Sequence, residues 1–235
     1  MGIADVFNQT LHQQLKAHAA WPPIANSFKL GTYGRINNGI FEALGDISEH
    51  NLAPQVATSA PPVRLDFASQ GVVIVKVAAG ATVSVIPAGA VDAKIHVTFS
   101  RKDSILLKAA VVRQDVISNV AQIAHALKSS FGWERGRLVV GKIWRAENAL
   151  LVGSSAAGTE LTLHGSTQAL RAFDVGAVDA GLEVSSSNQL ELQVAGESGV
   201  IGLGLFRLRL LRADPQFLDL EESRDFEWLG SGDLS

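Results

Sequence analysis

The sequence predicts an α+β protein: a twisted, largely antiparallel sheet with amphipathic hairpins and a few flanking helices. Three observations lead there. Val91–Ser100, read as V-D-A-K-I-H-V-T-F-S, alternates apolar and polar residues without a break. Successive strand side chains point to opposite faces, so this segment has one dry surface and one wet one. The same rhythm returns at Thr159–His164, Leu182–Val194 and Ile201–Leu210. Two other stretches, Ile3–Ala19 and Asp115–Lys128, set their apolar residues at helical spacing instead. A sheet with one greasy and one polar surface suits a soluble antiparallel protein, and equally a membrane barrel after refolding.

Each element is justified by its own residues. Ile3, Val6, Phe7, Leu11 and Leu15 make one stripe of a helix over 3–19, and Trp21-Pro22-Pro23 stops it because proline cannot continue the backbone ladder. Gly31, Gly34, Gly39 and Gly45 punctuate short extended pieces, with tight turns expected at Thr32-Tyr33-Gly34 and Asn37-Asn38-Gly39. Asn51–Pro62 reads as a polar, proline-bearing loop. Gly71–Pro87 reads as a hairpin across Ala78-Ala79-Gly80-Ala81, with Val73, Val75, Val77, Val83 and Val85 on one apolar parity. The alternating strand comes next, and then Ser104–Arg113 in extended form. Asp115 suits the N-cap or first turn of the second helix, and Lys128 its last turn. Beyond that lie strands at Arg137–Trp144, Ala149–Gly153, Thr159–His164, Leu182–Ser186, Leu190–Ala195 and Val200–Arg212. Ala149–Gly153 and Thr159–His164 are expected to pair across Ser154–Gly158, while Ala169–Val175 fits neither period cleanly.

The organisation expected is a β-rich body over residues 1–212 and an acidic, aromatic tail over 213–235. In that tail Asp214, Asp219, Glu221, Glu222, Asp225, Glu227 and Asp233 interleave with Phe217, Leu218, Leu220, Phe226, Trp228 and Leu229. Such a segment can dock on the body through Phe226, Trp228 and Leu229 and be released, or can be an ordinary packed or frayed extension.

Composition removes several function classes. The chain of 235 residues has a formal charge of −3 and no Lys/Arg cluster, which argues against nucleic acid as a partner. With no cysteine it has no disulfide, thiolate metal site or cysteine nucleophile, and it fits a reducing compartment. Asp5 stands where an export signal would be basic, and no apolar run reaches the roughly 18–20 residues of a spanning helix. A cytoplasmic protein is expected. Six histidines are scattered, without H-E-x-x-H spacing; His96 and His164 fall on the polar parity of their strands. The serines Ser154-Ser155 and Ser185-Ser186-Ser187 lack a nucleophile-elbow context, and Glu221-Glu222 is a charge run, not a spaced acid/base pair. No cofactor, metal or catalytic residue is assigned, and the protein is read as no enzyme.

The order of segments resembles the pore-forming domain of gasdermins, especially the compact bacterial members. A helix and a glycine-punctuated part precede amphipathic hairpins; A-K-I-H-V-T-F-S leads through Asp103–Gln114 to a short helix. Then R-L-V-V-G-K-I-W-R-A-E-N-A-L-L-V, G-L-E-V-S-S-S-N-Q-L-E-L-Q-V and G-V-I-G-L-G-L-F-R-L-R-L resemble the family's later strands. The likeness covers Phe99–Leu211. It implies a soluble, autoinhibited protein of antiviral defence whose C-terminal segment is removed by an activating protease. Strands would then extend into a self-oligomeric pore in a lipid membrane. The Gly71–Pro87 hairpin and Val91–Arg113 would supply membrane strands of about 9–11 residues each. The lipid-facing candidates are Val73, Val75, Val77, Val83, Val85, Val91, Ala93, Ile95, Val97 and Phe99. Arg212 and Arg224 are the cleavage candidates, and 214–235 corresponds to the inhibitory tail. The chain departs from bacterial gasdermins in lacking their lipid-modified N-terminal cysteine.

Two other readings use the same residues. A non-enzymatic binding or assembly module would hold partners by its sheet edges and tail without refolding. A small-ligand carrier or enzyme would use the sheet interior, where Gly202 and Gly204 admit close approach to the backbone.

Overall fold

The alternating segment forms a strand at Lys94–Phe99, in which Ile95, Val97 and Phe99 are fully buried while Lys94 and His96 are exposed. The computed structural model describes residues 2–58, 61–134, 136–174, 178, 181–186, 190–208 and 215–218. In chain order the elements are α1 (Ile3–Leu15), β1 (His18–Ala19), β2 (Thr32–Asn37), β3 (Ile40–Asp46), a 3-10 turn (Ile47–His50), β4 (Val56–Thr58), β5 (Val63–Ala68), β6 (Val72–Ala78), β7 (Ala81–Val83) and β8 (Lys94–Phe99). After these come β9 (Ser104–Ile117), α2 (Val120–Ser129), β10 (Leu138–Ser154), β11 (Thr159–His164), α3 (Thr167–Asp174), β12 (Glu183–Ser186), β13 (Leu192–Leu208) and β14 (Pro215–Phe217). Among the described residues the strands form two antiparallel sheets, neither closed into a barrel. This is the α+β class expected.

Two compact units are distinguishable, one of Met1–Phe7, Pro62–Val112 and Ala146–Gly199, the other of Asn8–Pro61, Arg113–Arg145 and Val200–Ser235. In the first, a five-stranded sheet runs in the order β12-β11-β8-β6-β7. Its inner face meets Leu106 of β9 and Leu150 and Val152 of β10, with Leu170 and Phe173 of α3 completing the core. These side chains are buried to within a few per cent, which is where the apolar stabilisation resides.

In the second unit β2 and β3 form a hairpin, β2 pairs with β10, and β13 carries β1 at His18↔Leu203 and β14 at Phe206↔Phe217. Asn38 and Gly39 both take positive φ, 49° and 75°, so the predicted Asn-Gly turn is a mirror-image hairpin turn. Tyr33, Phe41, Ile47, Ile123, Leu127, Val139 and Phe206 are among the core residues.

Several expectations are corrected. The first helix ends at Leu15, not at residue 19, because Lys16 enters the left-handed region (φ 53°) and His18-Ala19 are taken up as an edge strand on β13. Thr32-Tyr33-Gly34 lies inside β2 and is no turn. Asp115 does not cap α2: it belongs to β9, where its carboxylate accepts from Thr58 Oγ1 at 3.1 Å, and Asn119 is the N-cap residue. Residues 138–144 and Ala149–Gly153 belong to one strand, β10, and residues 192–195 and 200–208 to one strand, β13, with 209–212 outside the described residues; the left-handed residues Asn148 (φ 47°) and Gly196 (φ 74°) are accommodated within these strands. Ala169–Val175 falls largely in α3.

The predicted hairpin of Ala149–Gly153 with Thr159–His164 is a sandwich corner instead, and the connection from β8 to β9 is another. β8 and β9 lie in different sheets, and so do β10 and β11. The reason is common to both: each strand of the pair buries an apolar face in the same core, which requires opposite layers rather than neighbouring positions. At the corner between β10 and β11 the hydroxyls of Ser154 and Thr159 lie 2.7 Å apart and both bond to the Ala156 carbonyl.

Candidate membrane-contact surface

The register of the five-stranded sheet fixes which side chains share a face. Val72 pairs with Phe99, Ile74 with Val97, and Val97 with Leu161, so this row points inward. Val73 pairs with Thr98 and Thr98 with Glu160; Val75 pairs with His96 and His96 with Thr162. That second set points outward, where His96 Nδ1 lies 3.0 Å from Thr162 Oγ1. The outer face of β8, β11 and β12 is thus Lys94, His96, Thr98, Glu160, Thr162, His164, Glu183 and Ser185, all polar.

β6 breaks this rule. Its inner residues Val72 and Ile74 pack on the core, yet its outer residues are also valines, Val73 at 50% and Val75 at 36% exposure. The expected parity, with Val73, Val75 and Val77 as the dry face, is therefore inverted. The strict alternation of β8 sets the register, and β6 adopts it with the valine-rich parity outward. Lys76 falls on the inner parity and escapes it, because its long stem carries Nζ to the Ser84 carbonyl at 2.9 Å.

The ten candidates consequently divide. Val73, Val75, Val85 and Val91 are exposed, the last two at 59% and 69% in the segment after β7. Val77, Val83 and Ala93 are half-buried, with Val83 and Ala93 packed on the core. Ile95, Val97 and Phe99 are wholly inside. The structure brings Val73 and Val75 together on one face and keeps them from Ile95, Val97 and Phe99.

The tail candidates Phe226, Trp228 and Leu229 and the cleavage candidates Arg212 and Arg224 lie outside the described residues. Part of the tail is described, and sequence reasoning missed its contacts. Phe217 of β14 sits with its ring centroid 5.7 Å from that of Phe206, and Lys142 Nζ lies 4.5 Å over the Phe217 ring. Gly141 leaves the room for this: a β carbon there would come to 2.8 Å from the Phe206 ring and 3.0 Å from Phe217. The Leu218 amide donates to the Leu205 carbonyl at 2.9 Å, and Leu218 packs on the core. The signal available in the sequence was Pro215, which cannot donate to a ladder and suits the start of an edge strand.

No family model matches the chain, and no curated protein matches it. Its structure is similar to that of a bacterial gasdermin from Bradyrhizobium tropiciagri, with 17% identity, a TM-score of 0.38, and 91% of this chain and 90% of that one covered. It is also similar to the gasdermin A3 membrane pore seen by cryo-EM, with 10% identity, a TM-score of 0.31, and 94% and 95% covered. Both are gasdermins. That is also the family the segment order resembles.

Among the described residues no group of three or more His, Asp or Glu is placed to hold a metal ion, and no helix is long and apolar enough to cross a membrane, which says nothing of strands.

Proposed function

We propose that this protein is a latent pore-former, soluble and autoinhibited, that inserts β-hairpins into a membrane once its C-terminal tail is released. The observation that carries the reading is β6, apolar on both faces, with Val73 and Val75 outward beside a sheet whose other outer residues are polar. A strand of a soluble sheet normally turns polar residues to water. Around it, β8 and β11 already have the alternation of a barrel strand, with dry faces that the core now occupies and lipid would later occupy.

In this reading β14 is the inhibitory contact. It covers the backbone edge of β13 at Phe206–Leu208, and its loss opens that edge for pairing with a second copy. A protease acting at Arg212 would remove β14 with the rest of the tail, and one acting at Arg224 would release only the residues C-terminal to that cut.

The test is dye release from anionic liposomes by the full chain carrying an inserted protease site after Arg212. Release on cutting, with silence beforehand, is expected. A cut chain that stays folded and releases nothing overturns the reading. The same exposed valines also suit an assembly module that buries them against a protein partner; a stable complex by light scattering without any cut would favour that instead.

A further inference from the structure

We propose that the β6–β7 hairpin is stored half-zipped. Ile86 is a peg whose seat in the core of the first unit arrests the ladder at Val83, and whose withdrawal lets the ladder run on to Pro87. The use of the longer hairpin rests on the membrane reading above; the peg itself does not.

The ladder stops short of its sequence. β6 has seven residues, but among the described residues β7 pairs with it only at Lys76↔Val83, Val77↔Thr82 and Ala78↔Ala81. The strand rhythm runs further, Thr82 and Ser84 alternating with Val83 and Val85, and no proline interrupts it before Pro87. Yet the backbone bends at Ser84 and Val85, and Ile86 turns inward. It is wholly buried, in one core cluster with Leu170 and Phe173 of α3, while every other residue of 84–89 is exposed. The segment is fastened on both sides of the peg. The Ser84 carbonyl accepts from Lys76 Nζ at 2.9 Å, the Ala90 carbonyl from Thr167 Oγ1 at 2.9 Å, and the Val91 carbonyl from the Ala79 amide at 3.0 Å.

The turn already fixes the register of a longer ladder. Ala79 and Gly80 take φ 49° and 77°, a two-residue mirror-image turn that makes Ala78 and Ala81 a hydrogen-bonded pair. Such pairs alternate along an antiparallel ladder, so Lys76 with Val83 is the next and Ile74 with Val85 the one after. Continued, the register sets Val85 opposite Ile74 on the core row and Ile86 opposite Val73 on the outer row. Zipping therefore exchanges Ile86 for Val85 at the core and carries Ile86 out beside Val73 and Val75. In water this is unfavourable, because the larger side chain becomes exposed. Against an apolar surface it is favourable: the outer face then presents Val73, Val75 and Ile86, and no residue of 77–91 is charged. The peg thus makes the length of the hairpin depend on what its outer face meets.

Amide exchange of the intact chain in water tests this. Ile86→Thr keeps the branched shape that strands favour but makes the core seat costly and the solvent-facing seat cheap. The amides of Ile74 and Val85 should gain protection, ~tenfold or more over the parent. A residue that merely filled the core would give the reverse, faster exchange on its loss. Unchanged or faster exchange at Ile74 and Val85 overturns the proposal. A second measurement uses Val73→Cys with Ile86→Cys in a chain otherwise free of cysteine. One position is exposed and the other wholly buried in the structure, and they meet only in the zipped hairpin, as a non-hydrogen-bonded pair within disulfide reach. Oxidation should link them; a folded chain that never links also overturns the peg. Dye release after cutting separates the two readings. Variants that zip from a parent that never leaks refute the pore alone; a parent that leaks while neither variant zips refutes the peg alone.

Discussion

Lys108 Nζ lies 2.6 Å from Asp66 Oδ1 and 4.6 Å from the centroid of the Phe173 ring, with only 7% of the lysine side chain exposed. One buried cation thus joins β9 to β5 and α3. The strand around it is apolar, Ile105, Leu106, Leu107 and Ala109 being fully buried. Removing one partner of such a pair leaves the other charge stranded, whereas an apolar replacement of the cation leaves no buried charge to compensate. Asp66→Asn should therefore cost about 2 kcal/mol, discounted because Asp66 is 39% exposed, and Lys108→Met should be neutral or stabilising. Chemical denaturation of the two variants reads the asymmetry directly.

The same pair predicts an acid response. Burial pushes the Asp66 carboxyl up, but the Lys108 hydrogen bond and charge, then those of Arg64, outweigh it and hold the group below its ordinary range. A depressed carboxyl contributes stability that is present above its unfolded pKa of about 3.9 and is lost as pH falls through the folded value. Glu42, Asp46 and Glu49 are lowered too and act in the same direction. The contribution of Asp66 is therefore the difference in pH slope between the parent and Asp66→Asn. That difference should be confined to the acid side of about pH 4 and flat at neutral pH.

What the sequence revealed and what it hid separate cleanly. Strict alternation at Ile95, Val97 and Phe99 and at Leu161 and Leu163 was legible because each apolar residue had a polar neighbour to define its face. In V-V-I-V-K-V both parities are apolar, and only pairing with β8 decides between Val72/Ile74 and Val73/Val75. Strand partners were illegible for a different reason. A short connection, such as that between Ser154 and Thr159, reads the same whether it closes a hairpin or turns a sandwich corner. The cluster of Tyr33, His50 and Trp133 is drawn from three distant segments, so no local motif announces it.

Gly34 has no room for a side chain. A β carbon there would collide with the Glu42 carbonyl across the β2–β3 pair, where the register shifts between Tyr33 and Gly34. The obstacle is backbone, which cannot swing aside as a side chain would. Gly34→Ala should cost ~3 kcal/mol or more, seen as a large fall in melting temperature. Gly39→Ala meets nothing within 4 Å and bears only the strain of its positive φ, so it should cost about 1 kcal/mol.

Position decides what a charge does on the two faces of the first unit. Val97 is fully buried in the row Ile74–Val97–Leu161, so Val97→Asp should prevent folding, the carboxylate having no partner there. Val73 and Val75 face water, and Val73→Asp with Val75→Asp should leave the stability within about 1 kcal/mol of the parent. If these valines meet lipid after activation, the same double variant should abolish dye release, since a charge on a lipid-facing strand position is costly near the bilayer midplane. Unchanged leakage with an unchanged fold would remove β6 from the membrane.

The last prediction concerns the grip of β14. Its contacts within the second unit include its ladder to Phe206–Leu208, the Phe217 ring against Phe206 and under Lys142, the Leu218 amide on the Leu205 carbonyl, and Leu218 on the core. The ring is 39% exposed, so Phe217→Ser forfeits a partial burial and an aromatic contact, about 1–2 kcal/mol together. Global stability should fall by no more than that, because the residues beneath are held by the rest of the core. Local opening should change more. Amide exchange at Leu205 and Arg207, whose backbone groups face β14 as the Leu205 carbonyl does in accepting from the Leu218 amide, should speed up in proportion to the lost contact, while Val139 and Val140 of β10 stay protected. If β14 restrains assembly, Phe217→Ser should also release dye or form oligomers without any cut. Gly141→Ala, which crowds the same ring from below, should act in the same direction. Faster exchange without assembly would leave β14 a structural strap and move inhibition elsewhere in the tail.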